Sequence, residues 1–146
     1  MKTTRILITA IVTALAIPAF AADKPKAGEK EKDHPKVEVK IPDTAEALWT
    51  EIDAKTKALT ELVTAKKGDA IHVAAETVEA LVSAIPAKHA DLAADKKKRV
   101  EGMVKNVART LDQIHEEAEE GHWDDATKKL GQVETALKLI KQQIGK

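Results

Sequence analysis

Four amphipathic segments and the turns between them predict an all-α protein, an antiparallel up-down-up-down four-helix bundle. The first observation is periodicity. Trp123, Ala126, Leu130, Val133, Leu137, Ile140 and Ile144 recur at spacings of three and four, which places one apolar seam on one helix face. The second is punctuation. Gly68 and Gly121 stand where helices of this length must stop, and turns this short make consecutive helices antiparallel. The third is composition. Aromatic residues make up only 2% of the 146-residue chain, so Ala, Leu, Val and Ile must build the core, and this Ala/Glu/Lys/Leu-rich mixture favours helix.

Taken in order, the chain opens with Lys2 and Arg5, an apolar run from Ile6 to Ile17, and Pro18-Ala19-Phe20-Ala21. A positive start, a short apolar stretch and an Ala-x-Ala end are the pattern of a secretory signal peptide at 1–21. A retained N-terminal anchor is the alternative. Residues 22–42 read as a flexible charged arm. Pro25, Gly28 and Pro35 break any helix, and Val37, Val39 and Ile41 alternate over too short a run to stand as a strand.

The bundle is expected over 43–146. Asp43, with Glu46 three residues on, has the spacing of a helix N-terminal box. The face behind it is Leu48, Ile52, Leu59, Leu62 and Val63, with Trp49 alongside. Lys66, Lys67 and Gly68 suit the helix stop. Asp69 opens the second helix, whose seam is Ile71, Ala74, Val78, Leu81 and Ile85. Pro86 is expected to push Ile85 out of the helix and end it. A loop then leads to a third helix from about Asp91 to Glu120, with Val100, Met103, Val104, Val107, Leu111, Ile114 and Ala118 inside. A coiled coil that needs a partner is the alternative architecture, and the two short turns count against it.

Composition also bounds function. Without the leader the chain keeps 22 basic against 24 acidic residues, which argues against nucleic acid. There is no Cys, hence no thiolate metal site and no thioether-linked haem. Tyr is absent too, and Ser83, the one Ser, lies within a helix with no His placed to activate it. No nucleophile–base pair can be nominated and no enzyme is expected. The third helix is charged against its own dipole. Lys96, Lys97, Lys98 and Arg99 crowd its start, and Glu116, Glu117, Glu119 and Glu120 crowd its end. The same pole gathers His72, His115 and His122, with Glu119 four residues after His115. Imidazole with carboxylate suits Zn, Cu or Ni. Because His72 and His115 each directly follow a seam residue, they are expected to point outward as solvated side chains.

The Pro86-Ala87-Lys88 break and the Glu120-Gly121-His122-Trp123-Asp124-Asp125-Ala126 turn before an Ala/Leu/Lys helix resemble the soluble periplasmic cytochrome b-562 family. The resemblance implies a four-helix bundle holding non-covalent haem b between a Met early in the first helix and a His late in the fourth. Those places here carry Leu48 and Trp49, and Leu139, Ile140 and Lys141. His89 and Met103 are the residues toward that end that a rearranged haem site could use.

The sequence therefore leads us to expect an exported, periplasmic, haem-free bundle that is a monomer or weak dimer. It would act by binding or as a structural accessory, with an envelope protein as the possible partner. The alternatives are a haem b electron carrier with non-standard ligands, and a periplasmic metal-binding protein drawing on His72, His115, Glu119 and His122.

Overall fold

A computed structural model describes residues 37–145; the expected signal peptide at 1–21 and the arm up to residue 36 lie outside the described residues. The described chain is all-helical. Four long helices, α1 (Ala45–Thr64), α2 (Gly68–Ser83), α4 (Ala94–Glu119) and α5 (Trp123–Ile144), are joined by turns and one short helix, α3 (Ile85–Lys88). Helix α2 packs on α1 and α4, and α4 packs on α5, while α1 and α5 approach each other less closely.

The core is aliphatic, as the composition requires. Leu48, Ile52, Leu59, Ile71, Val78, Leu81, Val82, Ile85, Val100, Leu111, Ile114, Ala126 and Ile140 are fully buried or nearly so. Each Leu or Ile contributes about 1.5–3 kcal/mol over leaving it in water. Among the described residues Trp49 is buried, and Trp123 packs half-buried against the same core. The run Gly68–Lys88 is long and apolar enough to cross a membrane by length and composition. In this fold Ile71, Val78, Leu81, Val82 and Ile85 of that run are core, while Val73 is exposed.

The helix ends differ from expectation in informative ways. Thr44, not Asp43, caps α1, its Oγ1 accepting from the Ala47 N–H at 3.2 Å. Gly68 does not stop α1 but begins α2. The left-handed residue is Lys66, with φ 55°. Lys67 N–H then bonds Leu62 O at 3.0 Å and Lys66 N–H bonds Val63 O at 3.1 Å. The Gly121 turn repeats this pattern with the favoured residue. Gly121 has φ 78°, and His122 N–H reaches Glu117 O at 2.7 Å while Gly121 N–H reaches Ala118 O at 3.2 Å. Both ends are thus Schellman motifs, with bonds spanning five and three residues back.

Pro86 does not expel Ile85 from helical structure. The chain leaves α2 at Ser83, and Ile85-Pro86 open α3, where the missing proline N–H would have no helical partner in any case. The third long helix begins at Ala94, three residues later than expected. Residues 37–42 are not a free arm: Val39 and Ile41 are half-buried against the core, and Val37 N–H donates to Glu76 Oε2 at 3.3 Å.

The two Schellman turns generate a paired prediction. A left-handed residue with a Cβ is disfavoured by about 1 kcal/mol or more, and glycine is not. Lys66→Gly is expected to raise the unfolding free energy by up to about 1 kcal/mol, and Gly121→Ala to lower it by a similar amount, in urea titrations.

Candidate functional site

The side chains with chemistry to offer fall into three groups. The first lies where α2 meets α4. His72 and His115, one from each helix, have ring centroids 4.4 Å apart with planes tilted by 50°. The sequence expectation that both point outward is corrected here. Each directly follows a buried residue, Ile71 or Ile114, but the two helices pack closely enough to enclose that flank as well. Their side chains keep only 20% and 15% of their exposure.

Each ring carries a carboxylate from the next turn of its own helix. His72 Nε2 is 3.3 Å from Glu76 Oε1, and His115 Nε2 is 3.1 Å from Glu119 Oε1. This i,i+4 spacing puts both members on one helix face. Glu79 and Asp112 join the same strip of negative charge. Burial pushes the Glu79 carboxyl above the usual range, and Asp112 and Glu76 add repulsion. Burial likewise raises Asp112, with His115 pulling against it and Glu76 adding to it. Among the described residues no Lys or Arg forms an ion pair with Glu76, Glu79 or Asp112.

The second group is at the Gly121 turn. His122 Nδ1 lies 3.2 Å from both Glu117 Oε2 and Glu120 Oε2, and these three offer ligand atoms within 4.8 Å of one another. His122 and Glu120 are exposed, and Lys129 Nζ is 3.7 Å from Glu117. His122 therefore belongs to a solvated ion-pair cluster, and its recorded contacts are with Glu117 and Glu120 rather than with the His72–His115 pair. The acids that oppose the α4 dipole at this end are partly neutralised by α5, through Lys129.

The third group is at the far end, where the family resemblance would place haem ligands. Leu48 and Ile140 are fully buried and Trp49 nearly so. The Trp49 indole N–H donates to His89 Nε2 at 3.2 Å, which requires neutral imidazole with its proton on Nδ1. Lys141 Nζ lies 5.1 Å from the Trp49 ring centroid and donates to both carboxylate oxygens of Asp53 at 2.8 Å. Met103 is half-buried on α4 and packs against the core. His89 Nε2 is engaged by the Trp49 indole, and Leu48, Trp49 and Ile140 have no donor atom for iron. A shallow groove of about 280 Å³ runs beside this end between α1 and α5, its lining including Asp53, Thr56, Thr60, Glu134, Leu137 and Lys141.

No family model, curated protein or solved structure matches the chain.

The raised carboxyls predict a pH dependence. A carboxyl that holds its proton more tightly folded than unfolded stabilises the fold while protonated. That contribution is complete below the unfolded value, near pH 4, and is lost as the pH rises through the higher folded value. Glu79→Gln, with chelator present, is therefore expected to shift the urea midpoint upward at about pH 7 and to leave it unchanged at about pH 3.

Proposed function

We propose that the protein is a small exported bundle, its chain running up-down-up-down with antiparallel neighbours, that works by binding at its surface and carries no haem. Two sets of contacts support the chain path. Asp53 of α1 meets Lys141 of α5, and Thr60 meets Glu134 at 3.3 Å, so seven residues forward along one helix match seven backward along the other. At one pole, a methyl group added to Gly68 would stand 3.8 Å from both Ala118 O and the Trp123 ring. The turn before α2 thus lies against the turn before α5, as alternating direction requires.

The observation that carries the functional reading is the cluster Asp53–Lys141–Trp49–His89. At the end of the bundle where a b-562-like protein would coordinate iron, this chain has a cation clasped by a carboxylate over an indole, and that indole holds the imidazole. These contacts support the haem-free reading, since they engage the His89 imidazole and Lys141 with protein partners. Titratable groups instead lie along the outer faces, where a ligand or partner would meet them directly. Export rests on the leader pattern of residues 1–21.

Haem titration of the purified protein tests this reading. The expected result is a spectrum equal to the sum of free haem and protein, with no saturable Soret shift. A stoichiometric Soret band, with visible bands that sharpen on reduction, would overturn it.

A further inference from the structure

We propose that the groove between α1 and α5 binds a small organic carboxylate with an apolar body, of the kind a medium-chain fatty acid represents, through Thr56, Lys57, Leu137 and Lys138. This site rests on the reading of a haem-free protein that binds at its surface. Haem binding is read by a Soret band and filling of the groove by amide shifts, so either can fail alone.

Both helices line the groove with residues three, four and seven apart, which share one helix face. On α1 these are Asp53, Thr56, Lys57 and Thr60. On α5 they are Glu134, Leu137, Lys138 and Lys141. Two bonds across the gap close its ends. Lys141 Nζ donates to both Asp53 carboxylate oxygens at 2.8 Å, and Thr60 Oγ1 donates to Glu134 Oε1 at 3.3 Å. Seven residues of helix between these contacts give a length of roughly 10 Å. Between them Thr56 and Leu137, only 7% and 5% exposed, make the floor. The exposed Lys57 and Lys138 make the rim.

Thr56 carries the feature that calls for a ligand. Among the described helices every other threonine donates its hydroxyl to the carbonyl four residues back. On α1, Thr60 donates to Thr56 O at 2.9 Å and Thr64 to Thr60 O at 2.8 Å. The Thr56 hydroxyl makes no such bond, and its Oγ1 is buried with no protein partner. A buried hydroxyl left unsatisfied is destabilising. On a residue that lines the groove, an acceptor atom of a bound molecule satisfies it. The charge of the lining selects the acceptor. Three Lys face two carboxylates, an excess of one positive charge. Asp53 is already held by Lys141, and Glu134 takes the Thr60 hydroxyl. A carboxylate complements this lining, accepting from Thr56 and from the Lys57 and Lys138 ammonium groups. Its apolar body lies on Leu137 and along the lysine stems.

The test is NMR titration of the isotope-labelled protein with sodium octanoate, with octanamide and sodium acetate as controls. Octanoate at millimolar concentration is expected to give saturable amide shifts centred on residues 53–60 and 134–141. Octanamide, without the charge, and acetate, without the chain, should each bind at least about 10-fold more weakly. Thr56→Val should weaken octanoate binding by about 10-fold, and Lys57→Gln and Lys138→Gln, both at exposed positions, by roughly 2–5-fold each. Without ligand, Thr56→Val should leave the urea midpoint unchanged or raise it, because it removes an unsatisfied hydroxyl. A lowered midpoint would show that the hydroxyl is bonded within the fold, and would overturn the proposal. So would absence of saturable shifts, shifts centred elsewhere, equal binding of either control, or wild-type affinity in the Thr56 or both lysine variants.

Discussion

The contact between α2 and α4 is the constraint from which the rest of the structure follows. Helix α2 is the most apolar of the four and is covered by α1 on one flank and α4 on another. With so little aromatic surface, the chain can bury enough only by bringing small aliphatic residues on neighbouring helices into close packing. That closeness has a consequence for the residues at the edge of the seam. His72 and His115, which would stand in solvent on an isolated helix, are drawn against each other, and the carboxylates one turn on are drawn in with them.

The same packing sorts the charges. Helix α4 carries its basic residues at its positive end and its acids at its negative end, the unfavourable order for a lone helix. At its C-terminal end the neighbouring α5 repairs part of this, with Lys129 near Glu117 and also donating to Gln113 at 3.2 Å. Near the other end of the bundle, Lys141 grips Asp53 across the α1–α5 gap. Exposed pairs of this kind contribute under about 1 kcal/mol each. They settle which faces are neutralised more than how stable the fold is. Among the described residues these pairs do not involve Glu76, Glu79 or Asp112 of the α2–α4 strip, where burial raises the carboxyls of Glu79 and Asp112.

Much of this was readable from the residues, because apolar spacing of three and four is a strong signal over long segments. The Gly121 turn followed from a glycine past a helix end with acids beginning the next helix. The first turn did not, because Gly68 looked like the same device while the left-handed position falls on Lys66. A sequence shows where glycine is permitted, and packing decides where the backbone reverses. Gly68 lies instead against Ala118 and Trp123. Pro86 misled in a related way, since proline ends a helix only from its interior and can equally open the next one. The histidine pair was missed for a physical reason. The position after a seam residue is outward on an isolated helix, and only the distance to the neighbouring helix decides whether it stays wet. A signal was present all the same: His72-x-x-x-Glu76 and His115-x-x-x-Glu119 repeat one unit on two helices. The end carrying Trp49, His89 and Lys141 was legible only in its residue types. The residue types there lack the family's Met and His at the expected places, and the structure adds contacts that the sequence did not specify, Trp49 with His89 and Lys141 over Trp49.

The central claim is that α2 and α4 hold His72 and His115 ring to ring in the folded protein. Imidazole-selective NMR of the metal-free protein tests it most directly. The account predicts a nuclear Overhauser contact between the His72 and His115 rings, with none from either ring to His122. A folded protein that shows its core contacts while the two rings give none to each other would contradict it.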